Sequence, residues 1–337
     1  MTAADALLGV MWVGLTAYVL FGGADFGGGL WDLTAGGARR GQASRKLIEH
    51  SIGPVWEANH VWLIFVIVML WTGFPAVFAA VASTLYIPLT LAALGIIGRG
   101  AAFAFRKVST ELWLQRLFGA TFAVSSVLTP FFLGAVAGAI ASGRVPLGIA
   151  AGDIWRSWWN PTSVVTGLLS VAVAAYLAAV FLTRDATRHA PALAEVFRRR
   201  ALGAGVAAGA LSAVGLVVLR ADAPALFDEL THGRGLVLAV FSAASGVVSL
   251  GLLAARRYVA VRVSAALAVA GVLWAWGAAQ YPTLLPPEAT VAEMRADAAV
   301  LDATLLVLAV GAVIVVPSLG WLYVLFQREH ERTATPG

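Results

Sequence analysis

Two stretches, FGGADFGGGLWDL at residues 21–33 and IEHSIGPVWEANHVWLIF at residues 48–65, place acids inside runs that are otherwise built for lipid. An ionised carboxylate at bilayer depth costs roughly 3 kcal/mol or more, so Asp25 and Glu57 need a use or a partner. Around these runs the rest of the 337-residue chain is 60% hydrophobic and only 12% charged. A soluble domain is about a quarter charged. The apolar residues come in repeated blocks of about 20, the length that crosses ~30 Å of hydrocarbon. The fold expected is therefore an all-α polytopic membrane protein, its outer faces solvated by lipid.

With no cysteine in the chain, disulfides, iron–sulfur clusters, thiolate-bound haem and Cys-type zinc sites are excluded. The sequence pI near 10 does not point to nucleic acid, because the arginines lie in short clusters between apolar blocks rather than along one face. No metal site is expected. The first apolar block has no basic leader and no A-x-A cleavage site, so it reads as a retained span.

Nine transmembrane helices are expected, at about 6–31, 52–72, 75–105, 114–141, 162–183, 201–219, 235–255, 258–280 and 300–326. Lys and Arg concentrate in alternate connections: Arg39, Arg40, Arg45 and Lys46 in the first, Arg106, Lys107 and Arg116 in the third, Arg184, Arg188 and Arg198–Arg200 in the fifth, Arg256, Arg257 and Arg262 in the seventh. Cytoplasmic loops hold that excess, which puts the N-terminus outside and the C-terminus in the cytoplasm, and so requires an odd number of spans. In WRSWWNP, Trp155, Trp158 and Trp159 read as an interfacial belt before a fifth helix opened by Asn160 and Pro161.

Residues seven apart on a helix share a face, so Asp25 and Asp32 point the same way, with Asp32 expected as a solvated charge at the cytoplasmic rim. Gly23 and Gly27 form a small-xxx-small pair that admits either a neighbouring helix or a flat ring. Glu57 and His60, at i and i+3, can share a proton or a water. Arg99 is the one cation inside a span. Either it meets Asp25 or Glu57, or it snorkels to the cytoplasmic surface.

These runs resemble subunit II of the cytochrome bd quinol oxidases. The likeness is carried by GADFGGG, a basic loop, SIGPVWEANHVWL, the STLYIPL stretch, RG near the end of helix three, PFFLGAVAGAI, the NP start of helix five and the YP–LP loop. It spans nearly the whole chain, with GPVWEANHVWL the most specific element. It implies two four-helix bundles, residues 1–141 and 162–281, plus a peripheral helix at 300–327, in one transmembrane domain of the bacterial cytoplasmic (inner) membrane.

The resemblance further implies a non-haem subunit of a respiratory enzyme that oxidises membrane quinol and reduces dioxygen to water. Two haems b and a haem d-type centre would lie in a partner, subunit I, and some complexes add a small single-helix subunit. Carried over residue by residue, Glu57 takes the position of the family's proton-path acid and Asp25 that of the first-helix acid near it. The residues themselves add His60 to this proton path, as the neighbour of Glu57, and Arg99 as charge partner of one of the two acids. Trp62 begins the oxygen access route, and Trp56 and Asn59 are candidates to touch a structural quinone. The chain departs from many members in having Glu57 where Asp is frequent and His60 where others carry Gln or Glu. Two other readings compete: a secondary transporter or proton channel using the same carboxylates, for which no internal repeat is visible, and a pure assembly scaffold.

Overall fold

A computed structural model describes residues 2–37, 40–52 and 56–333, with residues 52, 56–58, 107, 112, 316, 319, 320 and 322–333 described by their backbone alone. The elements in chain order are α1 (Ala3–Leu33), α2 (Gln42–Ile52), α3 (Trp56–Gly73), α4 (Pro75–Thr84), α5 (Tyr86–Val108), α6 (Leu112–Ala141), α7 (Pro161–His189), α8 (Pro191–Asp222), α9 (Pro224–Thr231), α10 (Leu236–Ala254), α11 (Tyr258–Gln280), the hairpin strands β1 (Thr283–Leu285) and β2 (Ala289–Thr290), α12 (Val291–Met294) and α13 (Ala298–Thr333). Among the described residues, eight helices are long and apolar enough to cross a membrane: α1, α5, α6, α7, α8, α10, α11 and α13. The apolar part of α3, Asn59–Gly73, is shorter.

Local chemistry sets the helix starts. At α1, Thr2 Oγ1 accepts from the Asp5 N–H while the Asp5 carboxylate accepts from the Thr2 N–H at 2.7 Å, a reciprocal cap. At α7, Asn160 Oδ1 accepts from the Ser163 N–H at 2.9 Å and Pro161 occupies the first helical position, where its missing N–H has no cost.

Three elements differ from the sequence expectation. The third span, expected as one helix at 75–105, is two helices joined at Leu85. Pro88 lacks an N–H, and its ring collides with the carbonyl four residues back, at Thr84, where α4 stops. The helix expected to start at 201 starts at Pro191, because residues 191–200, which include Glu195 and Arg198–Arg200, continue it by nearly three turns beyond the apolar run. Between α1 and α3 lies α2, which hydropathy alone does not reveal. It is a mixed-polarity helix whose Leu47 and Ile48 bury against Leu182, Ala186 and Phe197.

The helix α1 is central, packing on α3, α6 and α7, and α7 in turn packs on α6, α8 and α11. Close approach is set by small residues. A Cβ at Gly27 would lie 1.9 Å from the Ala174 carbonyl oxygen, so α1 and α7 touch backbone to backbone there. The Trp31 indole locks the same pair by donating to the Ala175 carbonyl at 2.8 Å. One apolar core joins α1, α3 and α4 to the hairpin through Leu7, Phe74, Leu85, Leu285 and Leu301. A second lies between α7, α8, α10 and α11 around Leu177, Val180, Leu253 and Val261. Trp158, expected in an interfacial belt, is instead buried in the first core against Phe132, while Trp155 and Trp159 stay exposed. Away from the buried Phe197 and Leu301, many large side chains described on α8 and α13 face outward, as Val206, Val217, Val307 and Val313 illustrate.

Candidate functional site

The ends of α1, α5 and α7 and the start of α8 gather with α2 at one end of the molecule, the end that carries the Arg-rich connections. From that end a file of polar groups runs inward along one face of α1. Its first member is Asp32. Rather than standing solvated, Asp32 is buried under two guanidiniums, with Arg45 Nε 2.9 Å from Oδ1 and Arg106 Nη1 donating to Oδ2 at 2.8 Å. Arg106 also stands 3.9 Å from Glu49. Arg45 and Glu49 come from α2, the element that sequence reading missed, which is why Asp32 was expected to be exposed.

Seven residues deeper, roughly 10 Å along the helix axis, Asp25 meets Arg99. Arg99 Nη1 donates to Asp25 Oδ2 at 2.7 Å and Nη2 donates to Oδ1 at 2.8 Å, with Nη2 also reaching the Asp25 carbonyl at 3.0 Å. The guanidinium Nε donates to Ser126 Oγ on α6 at 2.9 Å. The rings of Phe26 and Phe122 cover the cation at 5.1 and 4.7 Å. The two side chains are 1% and 2% exposed. This fork-to-fork geometry, with Nε bonded as well, is what makes a buried ion pair tolerable in a low-dielectric interior. Of the readings open to Arg99, the structure has the pair with Asp25.

The pairs 25–99 and 32–106 have the same sequence offset, so α1 and α5 run in the same direction with a common heptad register. Between them Asp32, Arg45, Glu49, Arg106, Phe103 and Phe122 line a cavity of ≈ 10 Å³, about one water. Phe122 is shared: it walls this cavity and lies on Arg99, so one ring separates the outer ion cluster from the inner pair.

From α3, His60 reaches the same region. Its ring stands 6.0 Å from Phe26 and 6.5 Å from Tyr18, centroid to centroid. Asn59 is buried and donates to the Phe21 carbonyl at 3.4 Å, which ties α3 to α1. Trp62 packs against the cluster of Tyr18, Phe26 and Ala174 and stands edge-on to Phe65. The side chains of Trp56 and Glu57 lie outside the described residues; the helix that carries them is the one holding His60. Sequence reasoning did not single out Ser126, Phe122, Arg106 or Tyr18. The heptad spacing from Asp25 and Arg99 would have found Tyr18 and Arg106. Among the described residues no group of three or more His, Asp or Glu is placed to hold a metal.

Chemically, the outer end of the file is two carboxylates and two guanidiniums around a cavity the size of one water. Its inner end is an ion pair in which one guanidinium makes three hydrogen bonds to Asp25, two to the carboxylate and one to the backbone carbonyl.

Comparison with known proteins gives one answer at every level. The family model for cytochrome bd terminal oxidase subunit II matches residues 4–326. Subunit 2 of the cytochrome bd ubiquinol oxidase of Bacillus subtilis (strain 168) is 34% identical over 129 residues, 38% of this chain and 36% of that protein. Subunit 2 of the cytochrome bd-I ubiquinol oxidase of Escherichia coli (strain K12) is 26% identical over 183 residues, 52% and 46% of the two chains. The chain thus spans less than half the length of these curated relatives in the aligned regions. A chain in the solved structure of bd oxidase from Geobacillus thermodenitrificans superposes with a TM-score of 0.81 at 25% identity, covering 97% of this chain and 99% of that one.

Proposed function

Because the chain belongs to the cytochrome bd terminal oxidase subunit II family, we propose that it is the non-haem subunit of a respiratory quinol oxidase, coupling quinol oxidation to reduction of dioxygen to water. The observation that carries this reading is the likeness to a bd oxidase chain over 97% of the length. The transporter alternative has no support from family or fold. In this reading the partner is a haem-bearing subunit I with two haems b and a haem d-type centre, with or without a small single-helix subunit. The complex sits in the bacterial cytoplasmic membrane and takes its electrons from membrane quinol.

In the same reading α3 is a ninth span and the Arg-rich end is cytoplasmic, with the N-terminus outside. The spans then group as two bundles, 1–141 and 162–281, with α13 peripheral. The polar file opens on the cytoplasm, the side from which protons for oxygen reduction are drawn. Asp25 is clamped by Arg99, and losing either partner would strand the other as a buried charge. Its role is electrostatic: it fixes Arg99 and shapes the field around His60 and Glu57, which do the carrying. Trp62, in its apolar surroundings, walls the oxygen route. Trp56 and Asn59, on the same helix, are the residues for a quinone contact, Asn59 also bonding the Phe21 carbonyl.

The test is Glu57→Gln in the purified oxidase. Turnover is expected to fall, by about 100-fold if Glu57 is the principal proton carrier, while the haem spectrum stays intact. Unchanged turnover would reject the proton role.

A further inference from the structure

Beyond Asp25, the heptad face of α1 bears one more polar group. Tyr18, Asp25 and Asp32 are each seven apart and each buried, at 6%, 3% and 5% exposure. Hydropathy gives a tyrosine hydroxyl no reason to sit in this seam. The Tyr18 ring lies across Gly22, where a Cβ would stand 3.1 Å from Cε2, so the missing side chain at Gly22 is what lets the ring lie along α1 in the direction of Asp25. Tyr18 Oη has no hydrogen-bond partner among the described residues, and the same holds for His60 Nδ1. Two buried polar atoms in one aromatic cluster, their rings 6.5 Å apart, each lose a hydrogen bond that water would have supplied. One bound water contacting both removes that penalty for the pair.

We propose that Tyr18 is a positioning residue for His60, holding Nδ1 through one shared water and thereby fixing the ring orientation and tautomer with which His60 handles protons. This rests on the proton-handling reading of α3 given above and adds to it a residue on α1. The alternative role for Tyr18, filling the seam with its ring, is met equally by phenylalanine. The hydroxyl is therefore the atom to remove.

The experiment uses the complete oxidase carrying Tyr18→Phe, His60→Gln, both together, and Glu57→Gln in parallel, with turnover at saturating quinol and oxygen measured in H2O and D2O. Tyr18→Phe is expected to assemble with normal haem content and to lower turnover roughly fivefold, the worth of one neutral hydrogen bond. The solvent isotope effect should rise, and the double variant should be no slower than His60→Gln alone. A Tyr18→Phe enzyme with wild-type rate and isotope effect would overturn the proposal, as would additive losses in the double variant. Failure of Tyr18→Phe to assemble would also overturn it, since the hydroxyl would then be a structural bond. If Glu57→Gln is slow while Tyr18→Phe is unaffected, only the role of Tyr18 falls; if both are unaffected, the proton reading of α3 falls with it.

Discussion

At the scale of the residue, Arg99 heads the largest fully buried side chains among the described residues, and its charge depends on its neighbours. It is 2% exposed, and its charge is balanced by Asp25 alone among the described acids within bonding distance. Removing one partner leaves the other as an uncompensated buried charge, a loss of about 3 to 5 kcal/mol. Asp25→Asn and Arg99→Met should therefore each lower the thermal unfolding midpoint of the complex sharply. The double variant, with no charge left to strand, should be milder than either loss added to the other. Additive losses would mean that the two residues act independently. The sequence narrowed the partner of Arg99 to Asp25 or Glu57 because a lone cation in a span has few acids to choose from. It could not make the same argument for Asp32, whose partners Arg45 and Arg106 sit outside the apolar runs, where charges are ordinary.

At the scale of the element, packing depends on where a Cβ can be tolerated, and two glycines on α1 give a clean contrast. Gly27 has no room, with the Ala174 carbonyl oxygen 1.9 Å from a Cβ position, whereas at Gly23 the nearest atom, Leu177 Cδ1, would be at an ordinary 3.4 Å. Gly27→Ala should push α1 off α7 and reduce assembled complex severely, while Gly23→Ala should assemble at wild-type levels, as judged by the yield of haem-bearing oxidase. Both positions belong to one GxxxG pattern, and nothing in that pattern says which glycine is the tight one. The loop before α7 has its own control. Backbone N–H groups of Arg156 and Trp155 donate to Asp153 and hold its carboxyl below the ordinary value of 3.8. A depressed folded-state value means that this stabilisation is complete above about pH 4 and is lost on further acidification. Hydrogen exchange in residues 154–159 should accelerate as pH falls below that range once intrinsic exchange is corrected for, and Asp153→Ala should show the faster exchange already at neutral pH. Long apolar helices were legible in the sequence because length and composition suffice to define them. The break at Leu85 and the existence of α2 were not, since the first turns on one proline inside an apolar run and the second on 11 residues of mixed polarity.

At the scale of the whole molecule, the side on which the polar file opens decides what it can supply. Because the chain has no native cysteine, single substitutions report topology without background. Thr110→Cys, between α5 and α6, should react with a membrane-impermeant maleimide only after the membrane is opened, and Leu147→Cys, between α6 and α7, should react in intact cells. The reverse pattern would invert the molecule and detach the file from the cytoplasm. The outward-facing apolar side chains on α8 and α13 leave a surface for lipid or another subunit to cover, and in the function proposed above one such neighbour carries the haems. Isolating the native chain by affinity and recording a reduced-minus-oxidised optical spectrum tests this most directly. The account predicts b- and d-type haem bands together with a second large membrane subunit; a colourless chain recovered alone and active in some task of its own would contradict it.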